Sequence, residues 1–139
     1  MTTTNDTGAP REEQSRPDPL VEKLDAAGFF TPPTPKITTE QALALAPAPS
    51  WADRPGYSRR VEDEDGGYWI TEDAAISETD VARVGVERQT AVTGAGIIAH
   101  QAEYLRVAHA DEEFFLETRQ VSRVFAEIRG AAASVGVTL

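Results

Sequence analysis

The two histidines are the first candidates for chemistry, because imidazole is the commonest metal ligand and general base in proteins. His100 stands apart, and His109 is followed by the carboxylates of Asp111, Glu112 and Glu113. A metal site needs three or four converging ligands, and neither His-x-x-x-His nor Glu-x-x-His spacing occurs. The pattern predicts a polar hairpin turn around His109, and we expect no metal.

Two further motifs look like ligand loops. The acidic run 62–65 precedes two glycines, as in a calcium loop, but counting from Asp63 puts Tyr68 at the sixth position and Ala74 at the twelfth. A calcium loop needs Gly and Glu there, so the run is typical of a solvated turn. The Gly-Ala-Gly at 94–96 lacks the third glycine of a dinucleotide fingerprint. Neither motif predicts a cofactor.

Serine chemistry finds no support in the sequence. None of the later serines lies in a Gly-x-Ser-x-Gly motif, and no spacing pairs one with a histidine base; these serines are Ser58, Ser77, Ser122 and Ser134. We therefore predict no catalytic, cofactor-binding or metal-binding residues. An enzyme of unknown type remains the third of three functional hypotheses.

Charge and composition exclude several classes of protein. The 139 residues include 23 acidic and 13 basic side chains, which gives a net charge of −10. Binding to nucleic acid or an anionic membrane requires clustered Lys and Arg, so we expect neither partner. The absence of cysteine excludes disulfides and thiolate sites. Without a secretory leader or an apolar run of about 18–20 residues, the expected location is the cytoplasm.

The distribution of proline predicts the domain organisation. All nine prolines lie between Pro10 and Pro55. Residues 1–17 carry almost no large apolar side chains, so we predict a disordered tail. Residues 18–49 form a flexible, Pro-rich arm with short helical segments, and residues 50–139 form the folded domain.

Two short helices are predicted in the arm. Asp18 and Pro19 give an N-cap and a favourable first-turn proline, and Gly28 ends a helix over Pro19–Ala27. The second helix begins at Thr38 or Thr39 and stops before Pro47, with Gln41 placed to complete a capping box.

The remainder of the chain predicts short strands and one helix. β-prone runs lie at 57–61, 68–71, 81–92 and 114–117, and segment 97–107 fits a helix face or a strand, with the strand favoured. An apolar stripe at helical period then predicts a C-terminal helix, capped by Thr118 and ended by Gly136. Its members are Val121, Val124, Phe125, Ile128, Ala132 and Val135.

These elements predict an α+β fold. We expect a small antiparallel sheet of three to five strands, with the C-terminal amphipathic helix packed on one face. Phe125 and Ile128 should then be the central buried residues of the helix.

Several apolar and aromatic residues are candidates for contact with a partner protein. Aromatic side chains are enriched at interface hot spots, but the same side chains are equally suited to the core. The arm helix could dock on a separate partner or fold back on its own sheet. The candidates are Leu20, Leu24, Phe29, Phe30, Trp51 and Trp69.

Segment 104–133 resembles the C-terminal strand–turn–strand–helix of small, uncharacterised actinomycete proteins of unknown function. Pro49-Ser50-Trp51, followed by Asp53, resembles an upstream motif of that group. The cysteine and histidine of that motif are absent from this chain, so the resemblance implies no metal role. It implies the strand pair and the Ala-rich helix, and it carries no activity.

We therefore expect a non-catalytic interaction or accessory module whose partner is another protein, with self-association possible. The runner-up is an acidic inhibitor that mimics nucleic acid by covering a basic surface of its target. The predicted domain has 16 acidic and nine basic residues. Its excess of seven negative charges suits such mimicry, and also ordinary solubility.

Overall fold

A computed structural model describes residues 18–33 and 35–139. The predicted disordered tail, residues 1–17, lies outside the described residues. The described part contains three α-helices, five strands and one 3-10 turn. The helices are α1 (Pro19–Ala26), α2 (Thr39–Leu45) and α3 (Val121–Ser134); the strands are β1 (Ser58–Glu64), β2 (Gly67–Glu78), β3 (Arg83–Thr93), β4 (Ile98–His109) and β5 (Glu112–Glu117); the 3-10 turn is Thr118–Gln120.

The strands form one antiparallel sheet in the order β1-β2-β3-β4-β5, so each strand pairs with its neighbour in sequence. Two-residue turns at 65–66 and 110–111 connect β1 to β2 and β4 to β5. The prediction of an α+β fold with a small antiparallel sheet and a C-terminal helix is confirmed. The ambiguous segment 97–107 is the strand β4.

Both faces of the sheet are covered at the end near the β1–β2 turn. Successive residues of a strand point to opposite faces, and β2 begins Tyr68-Trp69-Ile70. Tyr68 and Ile70 belong to one core cluster, whereas Trp69 packs against another. The sheet is therefore the middle layer of this part of the molecule.

Helix α2 covers the first face. Its predicted capping box is present: Gln41 N donates to Thr38 Oγ1 at 3.1 Å, and Thr38 N donates to Gln41 Oε1 at 2.8 Å. Ala42 and the helix-terminal Ala46 are fully buried against Tyr68, Ile70 and Val92. Small side chains let this short helix approach the sheet closely.

Helix α1 covers the second face. Leu20 N donates to Asp18 Oδ1 at 2.7 Å, so Asp18 caps the helix as predicted. Gly28 adopts φ = +84° just beyond the helix, a conformation that glycine adopts without strain. Leu24 and Phe29 are buried with Ala91 and Ala99. The arm helix thus folds back on its own sheet, which is the second of the two alternatives above.

The chain passes from one face to the other across two hairpin turns. Ile37 N donates to Gly94 O at 2.9 Å, and Tyr68 Oη donates to Ile37 O at 2.6 Å. A Cβ at Gly66 would overlap the Phe29 carbonyl, and one at Gly94 would overlap the ring of Pro33. Glycine at both turns permits this close approach, so residues 18–49 belong to the folded unit.

The predicted role of α3 in the core is wrong. No residue of α3 is buried, and Phe125 and Ile128 are 51% and 47% exposed. The physical reason is that α1 and α2 complete the core on both faces of the sheet near the β1–β2 turn, so no buried site is left there for α3. Thr118 opens the 3-10 turn instead of capping the helix, whereas Gly136, at φ = +80°, follows the helix end as predicted. None of the helices described is long and apolar enough to cross a membrane.

Phe29 is the large aromatic side chain that α1 brings to the core, so Phe29→Ala should lower the free energy of unfolding by about 3–5 kcal/mol. Phe30→Ala is the matched control: Phe30 is 48% exposed and stacks edge-on against Phe29. Its loss should cost about 1 kcal/mol. Urea denaturation measures both, and equal effects would contradict the packing of α1.

Candidate functional site

A fully buried carboxylate lies on β2, the strand next to the β1 edge of the sheet. Glu72 on β2 is flanked by Arg59 on β1 and Arg88 on β3, which are its direct cross-strand partners. Arg88 donates to Glu72 Oε1 through Nε at 2.9 Å and Nη2 at 2.7 Å. Tyr57 Oη donates to Oε2 at 2.6 Å, and Arg59 Nε lies 3.8 Å from the same oxygen. We call these four residues the Glu72 cluster.

The arginines of the Glu72 cluster also hold the end of α2. Arg59 Nη2 donates to Leu43 O at 3.0 Å and to Ala46 O, and Arg88 Nη2 donates to Pro47 O at 2.6 Å. The last carbonyls of a helix have no partner within the helix. Guanidinium groups supply the missing donors, so the cluster fastens the arm to the sheet.

The burial of Tyr57 and its charged neighbours determine its protonation state. Burial, the hydrogen bond to Glu72 and the negative charge of Glu72 together raise the pKa of Tyr57 to about 12, although the positive charges of Arg59 and Arg88 oppose the shift. Tyr57 therefore keeps its proton and donates to Glu72 over the whole neutral range. Both carboxylate oxygens of Glu72 accept hydrogen bonds. The cluster is therefore better suited to a structural role, holding the arm to the sheet, than to proton transfer.

Sequence reasoning missed the Glu72 cluster. A glutamate within the run Ile-Thr-Glu-Asp carries no local sign of burial, and its partners lie 13 and 16 positions away along the chain. Only the register of β1, β2 and β3 brings the three charged residues together.

Glu72→Gln should lower the free energy of unfolding by about 3–5 kcal/mol, because two arginines would lose their buried counterion. Asp63→Asn is the matched control. Asp63 pairs with Lys36 at the surface with 67% of its side chain exposed, and such a pair contributes about 0–1 kcal/mol. Equal losses in urea denaturation would contradict a structural role for the Glu72 cluster.

The raised pKa of Tyr57 predicts a loss of stability in strong base. The folded state holds this proton more tightly than the unfolded state, whose tyrosine has a pKa of about 10. The contribution of Tyr57 is complete below pH 10 and disappears as the pH rises towards about 12. Tyr57→Phe should remove this part of the pH dependence between pH 10 and 12, as measured by denaturation at each pH. Unchanged curves would contradict the assignment.

A second polar cluster surrounds His100 near the start of β4. The imidazole stacks on Trp69, with 6.3 Å between ring centroids, and Nδ1 lies 3.4 Å from Lys23 Nζ. Within the described residues, Nε2 is buried without a hydrogen-bond partner. Burial lowers the pKa of His100, the positive charge of Lys23 lowers it further, and Glu117 opposes both. His100 is therefore neutral at pH 7.

An open cavity of about 240 Å³ lies beside His100, and its lining includes Lys23, Glu117 and Arg119. Arg119 Nε donates to Glu117 Oε2 at 2.7 Å, so these two charges satisfy each other. His109 lies at the far end of β4, where its Nδ1 is 2.8 Å from Val81 O. Among residues 18–33 and 35–139, no three His, Asp or Glu side chains converge to hold a metal ion.

The six predicted partner-binding residues lie in two places. Four of them meet in the cluster under α1, where Leu24 and Phe29 are buried and Leu20 and Trp69 are half-buried. Trp51 lies on the opposite face and donates through Nε1 to Glu103 Oε2 at 3.0 Å. Phe30 stacks edge-on against Phe29 beside the cluster under α1, and it is the exposed member of the six. The two fully buried residues are thus occupied within the chain.

Three of the four exposed phenylalanines lie instead near the C-terminus, on β5 and α3. Phe114, Phe115 and Phe125 are each 51% exposed, and Ile128 and Val135 are 47% and 75% exposed. We call Phe114, Phe125, Ile128 and Val135 the C-terminal surface; Phe115 is left out because it lies on the opposite face of β5 from Phe114. Sequence reasoning assigned the stripe of α3 to the core, because amphipathic periodicity shows which side is apolar and not what covers it.

Comparisons with known proteins give no guide to this site. No family model, curated protein or solved structure matches the chain.

Proposed function

We propose that the protein is a non-catalytic protein-interaction module that binds through the C-terminal surface. The observation that carries the proposal is α3 itself: an amphipathic helix of 14 residues that buries none of them. A helix gains most of its stability in proteins from packing its apolar face. A partner that covers the stripe of α3 would supply that packing. The location we propose is the cytoplasm.

The two edges of the sheet support this choice of surface. The edge strand β1 reads Ser-Arg-Arg-Val-Glu-Asp-Glu, and such charged edges discourage association. The opposite edge, β5, places Phe114 and Phe115 at its centre. Exposed apolar side chains on an edge strand are typical of a site where another chain binds.

This proposal moves the binding surface away from the arm. Docking of the arm helix on a separate partner was one of the two alternatives, but Leu24 and Phe29 already fill the core under α1. Exposing them to a partner would require α1 to detach, at the cost of their burial. The C-terminal surface is accessible without any unfolding.

The charge distribution favours a second candidate function, the acidic inhibitor that covers a basic surface. Residues 1–117 contain 22 acidic and ten basic side chains, so this part of the chain carries a net charge of −12. Binding of that kind would weaken steeply with salt, because exposed charges are screened. Binding through the C-terminal surface would depend only weakly on salt.

Affinity capture from the source cells tests the proposed function, with Phe125→Asp and Ala126→Asp as matched variants. Phe125 lies in the stripe, whereas Ala126 is exposed on another side of the same helix. We expect Ala126→Asp to retain the captured protein, including an untagged copy of this chain, and Phe125→Asp to lose it. The proposal would be contradicted if both variants captured the partner equally. It would also be contradicted if neither the native chain nor the variants captured any protein.

A further inference from the structure

A further apolar surface lies on the face of the sheet that α2 packs against. It is at the end of the sheet away from α2 and from the β1–β2 turn. Register places five apolar side chains of β3, β4 and β5 side by side on that face. Phe114 is 51% exposed and the other four are half-buried, whereas the adjoining Val86 is buried. We call this set the distal apolar face: Val84, Leu105, Val107, Phe114 and Leu116.

One chain thus contains an apolar sheet face and an apolar helix stripe, and its own elements bury neither. The distal apolar face is a sheet surface without a buried residue, and the stripe of α3 is a helix surface without one. Stable domains pack a helix stripe against a sheet face. From this pairing we infer that α3 of one copy packs on the distal apolar face of a second copy, and reciprocally. This inference rests on the proposed function and names its partner.

Charge complementarity supports a second copy as the occupant. Residues 118–139 contain three arginines and one glutamate, so they carry +2, whereas the rest of the chain carries −12. Arg129 flanks the stripe, four positions after Phe125. Glu112 lies on the same face of β5 as Phe114, two positions away. The strands that form the distal apolar face, β3 to β5, contain five acidic and three basic side chains, so a second copy offers a net negative sheet to a net positive helix.

The area available fits a transient dimer. A helix of 14 residues is about 21 Å long and about 10 Å across, so its footprint is roughly 200 Å². Two reciprocal contacts, counted on both surfaces, bury on the order of 800 Å². Interfaces of this size are weak, so we expect a dissociation constant in the micromolar range.

Sedimentation of the full chain over a concentration series tests the dimer. Phe114 and Phe115 are equally exposed on opposite faces of β5, which makes them a matched pair. Phe114→Asp should raise the dissociation constant about tenfold or more, because a buried phenylalanine is lost, and Phe115→Asp should leave it unchanged. On α3, Phe125→Asp should have the same effect as Phe114→Asp, and Ala126→Asp none.

Disulfide cross-linking tests the arrangement, since the native chain contains no cysteine. A mixture of a Val107→Cys chain and an Ile128→Cys chain should form a covalent dimer that neither chain forms alone. Cross-linked monomer from the double variant would mean that α3 covers its own sheet, and would overturn the inference. Dimers from Ile128→Cys alone would mean stripe-to-stripe packing and would overturn it as well.

The outcomes separate this inference from the proposed function. A native chain that stays monomeric at every concentration overturns the dimer, while capture of another protein that Phe125→Asp loses still supports the module. A dimer that survives both Phe114→Asp and Phe125→Asp overturns the assigned interface, and unchanged capture by Phe125→Asp then overturns the module too.

Discussion

The buried charge of Glu72 is the constraint around which the molecule is arranged. A carboxylate removed from water is stable only when charges and donors surround it, and Arg88, Arg59 and Tyr57 supply them from two neighbouring strands and the preceding loop. The same two arginines donate hydrogen bonds to the carbonyls at the end of α2. One set of side chains therefore fixes the register of three strands and the position of the arm.

This fastening explains why the Pro-rich segment is part of the core. The chain between α1 and α2 crosses the sheet at the hairpin turns, where Gly66 and Gly94 leave room for its backbone. The arm thereby places one helix on each face and supplies buried residues to both clusters, among them Leu24 and Ala42. Proline prevents this segment from being one long helix, and two short helices on opposite faces are the result.

The same arrangement leaves the C-terminal end incomplete. Because α1 and α2 cover β2 and β3 near the β1–β2 turn, the apolar side chains of β5 and α3 stay accessible. The molecule thus combines a closed, charge-fastened end with an open, apolar end. Binding of another chain at the open end would extend the layered packing without disturbing the Glu72 cluster, and this separation suits a module whose fold is independent of its partner.

Local signals in the sequence determined the elements. Asp18 with Pro19 and Thr38 with Gln41 mark the starts of α1 and α2, because capping depends only on residues a few positions apart. Alternating apolar residues and glycine turns likewise indicate the strands and the α+β class. Long-range packing decided the rest: which helix covers the sheet, whether Glu72 is buried, and whether Phe125 is core or surface. Such outcomes depend on competition between distant segments for the same face, and neither spacing nor composition records that competition.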